Sequence, residues 1–466
     1  MSKILLINPN TIQPPVAPLG IEYLCSFLHD NGMETEIFDM NIPDGRSLQE
    51  VLNAFRPDIT GISLRNLDDS FFGTQESFIG KIQDLVFNIK QLMPETKVVL
   101  GGVGFSIMPA ESISMTCADF GISGDGEEAL LALACSCKND SFFHHVPNIV
   151  TGKGTAEIRY SNLGDFNPQR RFINNRFYYD NGGMVGIETS RGCNRDCIYC
   201  ADPSSKGRKV RFRNPASVVN EFGQLLEMGI DHFHICDCEF NLIIEHVTGI
   251  CKMIIERGMG DALHWYAYCV PDGFDLRLAE LMKKAGCEGI NFGVDHTNND
   301  ILGFYRKRHR LNDIRYAADA CRKAGIRVML DLLLGCPKET HDTLKQVFDD
   351  MKSIQPTRVG VSYGIRVYPG TMFHTFLIES GFRLPESLLA PFFYVNPAIA
   401  GGIDKAISSM IGNDNIFFFN SKEHPAKNYN YNDNEGLAHA ISQEGYRGAF
   451  WDILYRKFME GKKKHA

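Results

Sequence analysis

Ser190-Arg191-Gly192-Cys193-Asn194-Arg195-Asp196-Cys197-Ile198-Tyr199-Cys200 carries three cysteines at spacings of four and three, in a turn-prone loop entered from the apolar run Met184 to Thr189. Three thiolates on so short a loop can hold three corners of an iron–sulfur cube, because soft sulfur ligands select iron–sulfur or zinc. A structural zinc needs a fourth ligand, usually from a second Cys/His pair at close spacing. The next cysteines, Cys236 and Cys238, come only after a helix-length segment. A cluster held by three ligands leaves one iron free to bind something else. The alternative is three unrelated core thiols.

Working outward, the 466 residues allow roughly two or three domains. The chain is 44% hydrophobic and 22% charged, as soluble globular chains are. Met1 to Ile7 run straight into a strand-like segment without a signal peptide, and no apolar run approaches the ~18 residues of a membrane span. Fourteen cysteines in that setting are expected to be reduced, so metal binding and redox chemistry come before disulfides. A net charge of −8 argues against nonspecific nucleic-acid binding. A cytoplasmic enzyme is expected.

Upstream of the cysteine loop, residues 1 to about 140 alternate strand and helix. Ile4–Ile7, Glu34–Asp39, Asp58–Leu64, Lys97–Leu100 and Ala118–Ser123 read as strands; Leu19–Asn31, Gln75–Met93 and Gly126–Cys137 read as helices. That alternation implies a mainly parallel sheet covered on both faces, with its ligand beyond the carboxyl ends of the strands. The loops there are Asn8-Pro9-Asn10, Leu64-Arg65-Asn66, Gly101-Gly102 and Gly124-Asp125-Gly126-Glu127, whose glycines let backbone approach a flat ligand. Nucleotide, flavin and cobalamin remain open by composition. No G-x-G-x-x-G opens a helix after the first strand, which weighs against a dinucleotide. Residues 141–183 read as a connector, punctuated by His144, His145, Gly152 and Gly154, with Ala156–Tyr160 able to pair as a small hairpin. From Met184 the alternation resumes. Strands are expected at Met184–Thr189, His232–Cys236, Leu263–Cys269, Gly289–Val294, Arg327–Leu334 and Arg358–Ile365, with helices between them. Six βα units suggest a partial parallel barrel over 184–378, with chemistry at the strands' carboxyl ends.

C-x-x-x-C-x-x-C with an aromatic residue before the third cysteine resembles the radical S-adenosylmethionine (SAM) enzymes. The upstream pattern Lys-Ile-Leu-Leu-Ile-Asn-Pro, then Pro18-Leu19-Gly20-Ile21-Glu22-Tyr23-Leu24, Val99-Leu100-Gly101-Gly102 and Gly124-Asp125-Gly126-Glu127, resembles the cobalamin-binding domain fused to many of them. The fold this implies is α/β: an N-terminal Rossmann-like cobalamin-binding domain, a partial (β/α)6 radical SAM barrel and a small C-terminal α-rich segment. Asn8, Asn66, Gly101, Gly102, Gly124, Gly126 and Glu127 are the cobalamin-side candidates. The D-x-H-x-x-G motif, whose His ligates cobalt from below in other cobalamin domains, is missing; His29, His144 and His145 lie in no such motif, and His29 reads as solvated. A degenerate, cofactor-free domain is the alternative.

The same resemblance assigns Cys193, Cys197 and Cys200 to a [4Fe–4S] cluster whose open iron chelates SAM, and puts Tyr199 beside the adenine. Cys236-Asp237-Cys238-Glu239-Phe240-Asn241 resembles the family's D-S-E-F-N-type motif, so Asp237 and Glu239 could accept hydrogen bonds from an ammonium or from ribose. Gly293-Val294-Asp295 stands where relatives carry G-V-E near the ribose, and Lys307 could pair with the methionine carboxylate; a solvated helix end is its alternative. Leu334-Gly335-Cys336-Pro337-Lys338-Glu339-Thr340 resembles L-G-x-P-G-E-T, with Lys338 replacing the second glycine. Arg366-Val367-Tyr368-Pro369-Gly370-Thr371 resembles the end of the sixth strand. Cys238, Cys269 and Cys336 are expected at strand ends facing the site, as small hydrophobes or as hydrogen donors or ligands to a second centre. Beyond residue 379, Pro391–Tyr394, Asn428–Asn434 and Arg447–Asp452 are rich in aromatics and amides that suit a pocket for a polar, partly flat molecule; Gly461–His465 reads as a solvated tail.

Together these imply a cobalamin-dependent radical SAM enzyme that uses a 5′-deoxyadenosyl radical and methylcobalamin to methylate an unactivated carbon of a small molecule. A one-electron donor such as flavodoxin or ferredoxin is implied; nucleic acid and a membrane span are not. No catalytic residue is assigned. Cyclisation or rearrangement without methyl transfer, and a radical SAM enzyme without cobalamin, are the alternatives.

Overall fold

The computed structural model describes residues 2–42, 45–136, 146–419 and 434–464. Cys137, His144, His145, Asn428 to Asp433 and His465 lie outside the described residues.

The first sheet holds β1 (Lys3–Asn8), β2 (Glu34–Asp39), β3 (Ile59–Ser63), β4 (Lys97–Gly101), β5 (Phe120–Ile122), β6 (Ile149–Thr151) and β7 (Gly154–Thr155), in the order β2-β1-β3-β4-β5-β6-β7. The first five are parallel and the last two antiparallel. Ile4, Leu5, Leu6 and Ile7 of β1 are all buried, because helices cover both faces of a parallel sheet. The helix Leu48–Phe55, opened by a reciprocal Ser47/Glu50 cap, and the short helices Val103–Ile107 and Pro109–Thr116 add to the three helices named from the sequence. The hairpin after residue 146 forms from β6 and β7, whereas Ala156–Tyr160 carries no strand. Thr151 to Gly154 supply the tight turn, and cross-strand backbone bonds run on from Ala156 N–H to Ile149 O at 2.8 Å and from Asn148 N–H to Glu157 O at 3.1 Å. A helix, Asn175–Gly182, capped by the Asn174 side chain, sits within the expected connector.

The second sheet comprises β8 (Val185–Ile187), β11 (His232–Ile235), β12 (His264–Cys269), β13 (Cys287–Asp295), β14 (Arg327–Leu334), β15 (Arg358–Tyr363) and β18 (Phe417–Phe419), in the order β18-β15-β14-β13-β12-β11-β8. All its pairs are parallel. Two short antiparallel ribbons flank its mouth: β9 (Ser190–Arg191) with β10 (Arg211–Phe212), and β16 (Ile365–Arg366) with β17 (Phe393–Tyr394). The sheet therefore has seven strands rather than the expected six. The extra one, β18, comes from the buried Phe417-Phe418-Phe419 run of the C-terminal segment and pairs with β15.

Strand alternation decides what faces the barrel interior. Phe233 and Ile235, Ala267 and Cys269, Ile290 and Phe292, Leu330, Leu332 and Leu334, and Val359 and Val361 all join one core with the surrounding helices. Their alternates (His234, Tyr268, Asn291, Gly293, Asp331, Leu333, Gly360 and Ser362) face inward. Tyr266, Met329, Phe418, Ala449 and Trp451 pack together where the strands begin and close that end of the lumen.

A buried ion network binds the two sheets' helices to each other. Arg170, from the linking segment, donates to Glu22 Oε2 at 2.7 Å in the first domain and to Glu221 Oε1 at 2.6 Å in the barrel. Arg213 donates to Glu221 Oε2 at 2.6 Å, and Tyr23 Oη to Glu221 Oε1 at 2.7 Å. Both arginines and both glutamates are fully shielded from solvent.

Candidate active site at the domain junction

The cysteine loop leaves β9 at the carboxyl end of the barrel, and local hydrogen bonds shape it. Gly192 has φ +97°, and a side chain there would press within 2.3 Å of the Lys209 carbonyl, so only glycine fits. Cys193 N–H donates to Gly207 O at 3.0 Å and Cys200 N–H to Cys197 O at 3.1 Å. Burial raises all three thiols above their ordinary value, and the Lys307 ammonium pulls Cys197 partly back. Among the described residues no three His, Cys, Asp or Glu side chains converge as ligands to a single ion would. A [4Fe–4S] cluster would place each of the three thiols on a different iron.

Asp237 does not face this site as an open acceptor. It is buried, and Thr189 N–H and Oγ1 (2.7 and 2.6 Å) and Ser190 N–H and Oγ (3.0 and 2.7 Å) occupy its carboxylate. Its work is to hold the strand that launches the cysteine loop. Glu239 is different: its Oε2 is buried without a partner, and burial drives its acid up to about 8 against the opposing pull of Lys307 and Arg195. An orphan acceptor beside the cysteine loop suits an ammonium or hydroxyl donor of a ligand such as SAM.

Lys307 pairs with Asp295 Oδ2 at 3.0 Å, donates to Gly293 O at 3.1 Å and lies over the Tyr199 ring at 5.7 Å. Tyr199 Oη in turn donates to Asp295. The three candidates Tyr199, Asp295 and Lys307 thus meet in one cluster beside Cys197, and Asp295 enters it through a left-handed turn at φ +61°.

The cobalamin-side candidates divide. Gly101, Gly102, Gly124, Gly126 and Glu127 line a cleft of about 190 Å³ at the carboxyl ends of β1, β3, β4 and β5, closed from the barrel by Glu188, Arg191 and Lys206. Side chains added at Gly101 or Gly126 would meet nothing nearer than 3.8 Å, so those glycines leave room for a ligand. Gly102 answers to the fold itself: φ is +101° and a Cβ would lie 2.7 Å from the Leu64 carbonyl. Glu127 pairs with Arg191 at 2.7 Å, yet its Oε2 has no partner. Burial would raise its acid, but Arg191 and Arg211 outweigh it and hold the carboxyl below its usual range. Asn8 lies outside this cleft; its amide donates to Asp39 and Tyr178, which is a structural role. Asn66 lines a second, larger cavity of about 400 Å³ between the domains, with Phe71, Phe72, Tyr199, Cys200, Leu333 and Tyr363. Two clefts running from the sheet edge to the cysteine loop, one with open glycines and an orphan acceptor, fit a large flat cofactor with a tail.

Arg366 borders the larger cavity but is already committed, donating to Asp68 Oδ2 at 2.9 Å and to the Val367 and Leu388 carbonyls. It pins the Asp68–Ser77 loop of the first domain over the barrel mouth, where Phe72 packs 4.9 Å from Tyr363. Cys269 and Cys336 are buried in apolar cores rather than facing the site, because alternation turns Cys269 toward the helices and the loop after β14 tucks Cys336 under the first domain. Cys238 is half-buried, close enough to Cys193 and Asp202 to feel their charge. The sequence reading missed Arg191 and Asp68, which join the domains, and Asn291 and Asp331. Asp331 had a signal: it is the single polar residue within the apolar run Val328–Leu334.

The sequence profile of the radical SAM superfamily matches residues 187–351, and that of the B12-binding domain matches residues 7–134. The chain is a cobalamin-binding-domain-containing radical SAM enzyme. The tryptophan 2-C-methyltransferase of Streptomyces laurentii is 28% identical over 436 residues, covering 78% of this chain and 73% of the relative. The hopanoid C-3 methylase of Methylococcus capsulatus is 25% identical over 390 residues, covering 80% and 72%. Among solved structures, the radical SAM methyltransferase TsrM of Kitasatospora setae, with tryptophan and a SAM analogue bound, matches all of both chains at a TM-score of 0.91 and 26% identity. With cobalamin and a [4Fe–4S] cluster bound, the TM-score is 0.88 at 25% identity. Like others of its family, this radical SAM enzyme works with a [4Fe–4S] cluster, SAM and cobalamin, and the thiols, orphan carboxylates and clefts described above fit those groups. Among the described residues no helix is long and apolar enough to cross a membrane.

Proposed function

We propose that this chain is a C-methyltransferase acting on a ring carbon of a nitrogen-bearing aromatic small molecule, tryptophan or a close analogue. The observation that carries this reading is likeness along the full length of a methyltransferase solved with tryptophan, joined by a curated tryptophan methyltransferase among the sequence relatives. The bound groups together supply a transferable methyl group and one-electron chemistry.

In this reading Cys193, Cys197 and Cys200 hold the cluster, and the Asp237 anchor keeps their loop at one height above the barrel. Glu239 offers its unpaired oxygen to the SAM side, while the Lys307–Asp295–Tyr199 cluster fixes the wall beside it. The glycine cleft takes the cofactor tail and Glu127 accepts from it; the cavity under the Asp68–Ser77 loop takes the corrin ring. Apolar walls there, including Phe72, Leu333 and Phe393, keep water from the reacting carbon.

The test is anaerobic turnover of the cluster- and cobalamin-loaded protein with tryptophan and SAM trideuterated in its methyl group. The expected product is tryptophan carrying the intact labelled methyl on a ring carbon, with S-adenosylhomocysteine released alongside. A tryptophan product without the label overturns methyl transfer, and loaded protein that leaves tryptophan and its ring analogues unchanged overturns the substrate class.

A further inference from the structure

Asp331 is a carboxylate in the middle of β14, on the face turned into the barrel, one inward position below the cavity-lining Leu333. In register with it stand Gly293 on β13 and Gly360 on β15, so neither neighbouring strand places a side chain beside it. A Cβ on Gly293 would meet nothing nearer than Glu239 Oε1 at 3.9 Å, so the space next to Asp331 opens toward the candidate SAM side. Asp295 is committed to Lys307, Glu188 to Arg191, and Asp237 to Thr189 and Ser190, while the open oxygen of Glu239 lies on the candidate SAM side. Asp331 accepts one bond, from Asn291 Nδ2 at 3.2 Å, and its Oδ1 is buried with no partner. The Asn291 amide cannot swing away, because Trp451 Nε1 of the C-terminal helix donates to its Oδ1 at 2.6 Å. A buried acceptor left open costs free energy unless a ligand fills it.

We propose that Asp331, framed by Gly293 and Gly360 and steadied by Asn291 and Trp451, is the residue that receives an N–H donor of the methyl acceptor in the barrel lumen. Burial drives its acid up to about 7, with the Asn291 hydrogen bond opposing and the Asp295 charge adding, and a donor at Oδ1 gives that oxygen its partner. This is a specificity role, and it rests on the substrate class proposed above. Two nitrogens of tryptophan offer the same chemistry, the ring N–H and the α-ammonium.

Anaerobic calorimetric titration of the cluster- and cobalamin-loaded protein, without SAM, distinguishes them. The ligands are tryptophan, 3-benzothienylalanine (no ring N–H) and indole-3-propionate (no ammonium). For the wild-type protein one of the two analogues should bind at least about tenfold more weakly than tryptophan, as expected for a lost hydrogen bond to a charged group. In Asp331→Ala, tryptophan should lose a similar factor, while that same analogue changes less than about twofold. Equal binding of all three ligands by the wild-type protein, unchanged tryptophan affinity in the variant, or an equal loss for every ligand would each overturn the assignment. Should the alanine variant fail to load its cofactors, Asp331→Leu, which keeps the volume and accepts no hydrogen bond, is read in the same way. Wild-type protein that does not bind tryptophan sinks the substrate reading itself, whereas tight binding indifferent to Asp331 sinks this inference alone.

Discussion

Replacing Arg170 with Met should loosen the junction between the two domains more than any surface change. Four acceptors lose a donor at once: Glu22 Oε2, Asn175 Oδ1, the Gly186 carbonyl, and Glu221 Oε1, which still accepts from Tyr23 Oη. Glu221 keeps Arg213, but Glu22 is left with the Asn175 amide as its remaining side-chain donor. Removing one partner of a buried pair costs about 3–5 kcal/mol, because the other charge stays in a low-dielectric interior. The deficit carries a pH signature. Burial already raises the Glu22 acid and Arg170 opposes it, so the variant's folded-state value rises further above that of the unfolded chain. A group raised in this way favours folding below its unfolded value and loses that contribution as pH rises through the folded one. The variant should therefore be closest to wild type near pH 5 and furthest from it near neutrality. Urea unfolding followed by far-ultraviolet circular dichroism at both pH values reads the effect as a lower midpoint. Arg170→Met combined with Glu22→Leu should restore most of the loss, since an apolar pair replaces a broken ionic one. A single variant within about 1 kcal/mol of wild type at neutral pH, or a double variant no more stable than the single, would refute the reasoning.

Changing Cys193, Cys197 or Cys200 to Ala should abolish the visible absorbance of the cluster and all methylated product, while far-ultraviolet circular dichroism stays as in wild type; an intact cluster spectrum in the triple variant contradicts the ligand set. Changing Cys238, Cys269 or Cys336 to Ser should leave the iron content at one cluster per chain, because Cys269 and Cys336 are core residues and the loop already supplies three corners; iron well above that level, falling in the Cys238 variant, would reveal a second centre. Among the described residues no histidine lines either cleft between the domains, and bound cobalamin should show no protein imidazole below its cobalt. Nitrogen hyperfine splitting from a histidine in the cob(II)alamin resonance spectrum would overturn that.

Periodicity and punctuation made the two parallel sheets readable, because buried strands of Ile, Val and Leu separated by capped helices leave a strong local signal. Glu34–Asp39 and Arg327–Leu334 stand in the structure with the limits read from sequence. What stayed hidden was long-range. Phe417–Phe419 becomes a strand only because β15 offers it a free edge, and nothing in a three-phenylalanine run says which edge that is. The roles of single polar residues were hidden for the same reason. Asp237 sits in the most recognisable motif of the barrel, yet it serves as an anchor, since the loop it holds supplies two hydroxyls and two N–H donors. Asp331 sits in no motif, yet it keeps an open oxygen because glycines happen to face each other across two neighbouring strands. A motif reports chemistry that recurs among relatives, whereas an unpaired buried atom reports what this one fold has left unsatisfied. The cysteine loop could therefore be singled out by its spacing and its resemblance, while the proposed substrate-side acceptor Asp331 emerges only once register is known, from a polar position interrupting an otherwise apolar strand.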